Sequence, residues 1–170
     1  MFAQRQFGLP FVQVAASQSH HHSEAGGLLL HSVECAEWVG TMANATLNAK
    51  ETALSITAAL LHDFGKVATM GNSSHRMVNH EILALTLLEP ALLDLQKQWP
   101  QGAFALRYML SWLANPRKFP KLPGVLLVKA ADQYSAALSA RDKAFQPLPQ
   151  HYYWASLKTP YSVQFFHRVN

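Results

Sequence analysis

The sequence predicts an all-α fold, and three observations carry that expectation. Apolar residues recur at helical spacing through several long segments, Gly, Pro and Asn mark the breaks between them, and no internal repeat or low-complexity block is present. The first sustained pattern begins at Leu28, where Leu29, Val33, Ala36, Val39, Gly40 and Ala43 recur with no Pro before Asn48. It predicts a helix over about 28–47. KETALSITAALLHDFGK follows, opening with helix formers and carrying an almost continuous apolar band at Ala53, Leu54, Ile56, Ala59, Leu60 and Leu61. It predicts a buried central helix that stops near Gly65.

TMGNSSHRMV, about 69–78, has loop composition. Asn79 can then cap a helix through NHEILALTLLE, which Pro90 should close while opening the next, PALLDLQKQW. Pro100-Gln101-Gly102 marks a further break, and a helix over about 103–114 should end before Asn115-Pro116, because the residue preceding proline is pushed out of the helical region. RKFPKLPG is a basic, proline-rich connection, and VLLVKAADQYSAALSARDKA predicts the last helix, about 124–144. Residues 1–26, without sustained periodicity, read as an irregular arm ending at Gly26-Gly27. The aromatic, proline-broken tail 146–170 gives no clear pattern. The expectation is one domain over 1–170, with about six helices around one core within 27–145.

A chain of 170 residues, 49% hydrophobic and 14% charged, suits a single domain with a full core. Fourteen basic against ten acidic residues give a net charge of +4 and a pI near 9.3. That balance favours anionic ligands such as phosphates. The single cysteine, Cys35, excludes an intrachain disulfide and a zinc cluster built on several thiolates, and fits a reducing compartment. No stretch has signal-peptide or membrane-spanning character, so the expectation is a soluble, cytoplasmic protein with no membrane partner.

Nine histidines carry most of the chemistry. His62-Asp63 lies at the foot of the most apolar helix, where an ionised carboxylate is costly unless something compensates it, and a divalent cation is a common compensation. Alone, the pair reads equally as a helix C-terminus with a partly exposed imidazole and a solvated carboxylate. His31, within LLLHSVECAEW, and Asp132, within VLLVKAADQYSAAL, sit in equally apolar surroundings. Together the four would bring two imidazoles and two carboxylates from three helices, a mixed set suited to Mn, Fe, Ni, Zn or Mg rather than to a thiophilic metal.

The ordered pattern H…HD…D, with Gly-Gly-Leu-Leu before the first His, HDFGK around the pair and KAADQYS around the last carboxylate, resembles the HD-domain superfamily of metal-dependent phosphohydrolases. The resemblance covers roughly residues 20–140. It implies a compact all-α domain, His31, His62, Asp63 and Asp132 as ligands to a divalent metal, and a metal-activated water that attacks phosphorus. His20-His21-His22 ahead of Gly-Gly-Leu-Leu resembles, more narrowly, the N-terminal HD domain of MobH-type conjugative relaxases, which implies nicking of a DNA strand.

Lys66, three residues after Asp63, could reach a bound phosphate or simply compensate the helix C-terminus. His80, followed by Glu81, resembles the second histidine motif of binuclear HD enzymes, and could act as acid or as ligand. No histidine lies between His80 and His151, so a second ion would draw on His80, His75 or the triplet His20, His21 and His22. Arg117 and Lys118, with Lys121 nearby, form a proline-punctuated basic run that could contact a nucleotide or single strand, or be a solvated loop. The tail aromatics read as packing or as a homodimer interface rather than as a base-stacking platform. The functional expectation is a phosphohydrolase acting on a phosphoester of a nucleotide or nucleic acid, with Asp63, Lys66 and His80 in the chemistry. Its rivals are a relaxase-type nickase and a non-catalytic metal- and nucleotide-binding regulatory module.

Overall fold

A computed structural model of the chain describes residues 5–17, 24–70, 78–116, 119–159 and 162–169. In chain order its elements are α1 (Arg5–Gln13), α2 (Gly27–Thr46), α3 (Ala49–Leu61), the single turn α4 (Lys66–Thr69), α5 (His80–Gln98), α6 (Pro100–Ala114), α7 (Gly124–Phe145) and a hairpin of β1 (Trp154–Lys158) and β2 (Val163–His167). The fold is a helical bundle, as the sequence predicts.

α2 and α3 form a hairpin across two residues, and Asn48 fixes the corner. Its side-chain oxygen accepts from the backbone N–H of Lys50 and of Glu51, both at 3.0 Å, while its amide donates to Glu51 at 2.9 Å. Two orphan donors at the start of α3 are thereby satisfied, and the exchange with Glu51 is reciprocal. Leu28, Cys35 and Val39 of α2 meet Ala58 and Ala59 of α3 and Val125 and Val128 of α7 in a common core. The alanines on α3 let the neighbouring helices approach closely. This brings the last turn of α3 beside the middle of α2 and α7.

The arm, the helix end at Pro90 and the break at 100–102 are corrected. Residues 5–13 of the predicted irregular arm are helical: Phe11 is buried against Phe64, with ring centroids 5.5 Å apart, and burial of that ring outweighs a locally weak helical sequence. Gly26, at φ 82°, then turns the chain into α2, and its N–H donates to the carbonyl of Gln13.

Pro90 does not end a helix. α5 runs through it to Gln98, because Ala84, Leu88 and Leu92 continue one buried stripe on both sides of it. Arg107 of α6 also ties the two halves together, bonding Glu89 before the proline and Gln96 after it. The break before α6 is accordingly Trp99 alone, with Pro100 in the first helical turn where a missing N–H costs nothing.

The tail, where the sequence shows no clear pattern, forms a hairpin. β1 and β2 pair antiparallel in the register Trp154↔His167, Ser156↔Phe165 and Lys158↔Val163. Ala155, Leu157 and Phe166 pack with Ala144 and Phe145 of α7 into a small second core. Arg168 locks the connection by donating to the carbonyls of Pro149, Gln150 and Tyr152 and lying 4.4 Å over the Phe145 ring.

Proline inside a helix removes one hydrogen bond and costs up to about 3 kcal/mol, and Pro90 is exposed, so burial does not require its ring. Pro90→Ala should therefore stabilise the protein by about 1–3 kcal/mol, read as a raised urea midpoint. An unchanged or lowered midpoint would mean that α5 needs the proline bend to seat on α6.

Candidate metal centre

Three helices deliver four side chains to one point. His31 projects from the fully buried face of α2, and its Nε2 lies 3.2 Å from Asp132 Oδ1 and 3.5 Å from Asp63 Oδ2. His62 caps the end of α3; its Nδ1–H donates to the Ala59 carbonyl at 2.7 Å, which turns Nε2 inward. There Nε2 lies 3.5 Å from Asp63 Oδ2 and 3.7 Å from Asp132 Oδ1. Adjacent residues of a regular helix diverge by about 100°. His62 and Asp63 converge because the helix ends between them and the chain enters the turn 62–65.

Gly65 decides how closely that turn can be covered. A Cβ there would fall 1.8 Å from the His80 carbonyl oxygen and 2.7 Å from the Ala84 nitrogen, so the backbone at the start of α5 rests directly on Gly65. Because of this approach His80 Nε2 reaches Asp63 Oδ1 at 3.0 Å. Asn79 caps α5 as the sequence predicts, accepting from the N–H of Glu81. Lys66, at the start of α4, donates to Asp63 Oδ2. Asp63 is thus the shared partner of three imidazoles and an ammonium.

The electrostatics follow from this crowding. Burial alone would raise the Asp63 carboxyl, but the charges and hydrogen bonds of His62, His80 and Lys66 outweigh it and hold it well below the usual range. Asp132, half-buried, is also lowered: burial opposes this, and the His31 and His62 imidazoles facing its carboxylate prevail. Burial pulls the His62 imidazole down, whereas Asp63 and Asp132 beside it push it up to about 9. Burial raises the Cys35 thiol above its ordinary value, and the neighbouring carboxylates add to the effect. Cys35 is therefore a neutral thiol at pH 7, although its sulfur lies 3.9 Å from both nitrogens of His31.

The donor set fits a divalent ion. Ligand atoms from His31, His62, Asp63 and Asp132 all lie within 4.8 Å of one another. His62 Nε2 is buried and, among the described residues, has no hydrogen-bond partner, while it faces two carboxylates. Donors bound at about 2.0–2.2 Å to one ion stand roughly 3.0–3.6 Å apart. The separations of 3.2, 3.5, 3.5 and 3.7 Å lie close to that spread, and all but the first are long for hydrogen bonds.

The outer nitrogens are held as metal-ligating imidazoles usually are. His62 Nδ1 is fixed by Ala59, and His31 Nδ1 pairs with Ser135 Oγ at 3.0 Å, while the Ser135 hydroxyl donates to Glu34 at 3.4 Å. Sequence reasoning named all four inner residues but gave Ser135, Glu34 and Cys35 no role at the site. The signal for the first lay in spacing, since Ser135 follows Asp132 by three residues and so shares its face of α7.

The remaining candidates divide. His80 and Lys66 join the cluster through Asp63. The backbone of Lys121 donates to the Tyr108 hydroxyl in the connection before α7. His20, His21, His22, His75, Arg117 and Lys118 lie outside the described residues. Among the described helices, none is long and apolar enough to cross a membrane.

Residues 28–137, which contain the whole cluster, match the family model of the HD domain. No curated protein and no solved structure matches the chain.

The raised pKa of His62 predicts how the metal-free protein responds to pH. Its folded value, about 9, lies above the ordinary 6.5, so the stability it contributes is complete below pH 6.5 and is lost as pH rises towards 9. The lowered carboxylates act in the opposite sense and lose their contribution only in acid. In chelator-treated protein Tm should therefore fall between pH 6.5 and 9, and His62→Gln should flatten that limb. An identical slope in the variant would show that the imidazole is not charged in the fold.

Proposed function

The chain belongs to the HD-domain family, and on that basis we propose that it is a metal-dependent phosphohydrolase whose four clustered side chains bind a divalent cation. The observation that carries this reading is the convergence of two oriented imidazole nitrogens on two carboxylates, with His62 Nε2 buried and lacking a hydrogen-bond partner among the described residues. Mn, Fe, Ni, Zn and Mg are all compatible with such donors. A bound ion would lower the pKa of a coordinated water and neutralise phosphate oxygens.

The chain's own residues supply the rest. Ala59 and Ser135 orient the two imidazoles, and the Gly65 turn keeps Asp63 facing both. Lys66 and His80 are partly exposed at the rim of the buried cluster. From there the Lys66 ammonium can steady a non-bridging phosphate oxygen. His80, backed by Glu81 at 3.4 Å, can hold a proton for the leaving oxygen.

The net charge of +4 supports a polyanionic substrate, a phosphoester of a nucleotide or nucleic acid. A lone, buried cysteine supports action in the cytoplasm. The narrower relaxase reading draws on His20–His22, and a second metal would draw on those residues or His80.

Protein reconstituted with Mn should contain about one ion per chain by elemental analysis and hydrolyse a generic phosphodiester such as bis-(p-nitrophenyl) phosphate. Asp63→Ala should lose the ion and the activity together. Lys66→Ala should keep the ion and lose activity by about ten- to a hundredfold, since its partner in turnover is substrate. Full metal content in the Asp63 variant would contradict the ligand set. Stoichiometric metal without turnover on any phosphoester would favour the regulatory-module reading.

A further inference from the structure

The C-terminal hairpin has two unlike faces. Its inner face, Ala155, Leu157 and Phe166, packs on the end of α7. Its outer face carries the cross-strand pairs Trp154–His167, Ser156–Phe165 and Lys158–Val163. Alternation along a strand assigns these pairs to one side, and all six residues are exposed. Trp154 is 47% and Phe165 68% exposed, and the adjoining Tyr153, 63% exposed, stacks on His167 at 6.3 Å with 29° between the rings. Large rings left in water beside one another serve no core and mark a surface built for contact.

Charge selects the occupant. Residues 146–170 contain Lys158 and Arg168 and no Asp or Glu. A second copy meeting this face through the same face would bring another Lys158 and no carboxylate from this segment, so it offers no complementary charge. Exposed rings beside the Lys158 ammonium, in a segment free of acidic residues, suit a ligand of π-faces joined by anions. We propose that the outer face of the hairpin is a stacking platform for single-stranded nucleic acid, with bases on Trp154 and Phe165 and the backbone drawn by Lys158. The platform extends the proposed phosphohydrolase reading by naming a polymeric, single-stranded substrate class, and it rests on that reading only for its role in turnover.

The test is fluorescence anisotropy of labelled oligothymidylate, oligouridylate and a matching duplex, titrated with the whole chain at low and moderate salt. Expected are binding of single strands that weakens with salt, much weaker binding of duplex, and a loss of roughly ten- to a hundredfold in Trp154→Ala/Phe165→Ala. The two substituted rings lie outside both cores, and Phe165→Ser alone provides a milder variant whose melting point can be matched to the parent. The thymidylate and uridylate arms separate DNA from RNA.

Chelator-treated parent protein should bind oligonucleotide as the Mn-loaded protein does although it is inactive, so failure of the metal chemistry and failure of the platform are read separately. No single-strand binding at low salt, equal binding by the double variant, or equal affinity for duplex would overturn the proposal. So would a dimer that the double variant dissolves, which would give the face to a second copy.

Discussion

A single buried carboxylate organises this molecule. Asp63 is 3% exposed and ionised, in a position where an uncompensated charge would be prohibitive. Removing one partner of such a buried pair costs about 3–5 kcal/mol, so its surroundings are constrained on every side. α2 must bring His31, α3 must end at His62, α5 must descend onto Gly65 to present His80, and Lys66 must open the next turn. Each requirement falls on a different element. Together they explain why the helices cross where they do better than any one packing contact does.

The same constraint connects stability with chemistry. Besides Lys66, the groups that offset the charge of Asp63 are histidines, whose nitrogens can exchange a proton for a metal. His62 shows this most directly, since its Nδ1 is tied to a backbone carbonyl and its Nε2 faces two carboxylates. Ser135 holds the corresponding nitrogen of His31. With the orientation of both rings set from behind, little rearrangement is needed to accept a cation.

Much of this was legible in the sequence because it was local. His62-Asp63 beside a glycine, His31 and Asp132 in apolar helices, and the Asn79 cap are all patterns of residue type at short spacing. What was not legible depends on partners distant in the chain. The helix at Arg5–Gln13 exists because Phe11 finds Phe64, and α5 continues through Pro90 because its buried stripe and Arg107 tie both halves to α6. The hairpin strands are five residues each, and their inward alternation shows only once Phe145 supplies a surface to face. Ser135 and Glu34 escaped for a related reason, as serine and glutamate on a helix normally face water. The burial of Ser135 against His31 is a product of packing between α2 and α7.

The account stands or falls on whether one ion occupies the point where the four side chains meet. Anomalous diffraction at the Mn edge from Mn-soaked crystals measures this directly. The predicted result is one strong peak within about 2.0–2.3 Å of His31 Nε2, His62 Nε2, Asp63 Oδ2 and Asp132 Oδ1. Absence of a peak at saturating Mn, or a peak bound elsewhere with these four atoms still facing one another, would contradict it.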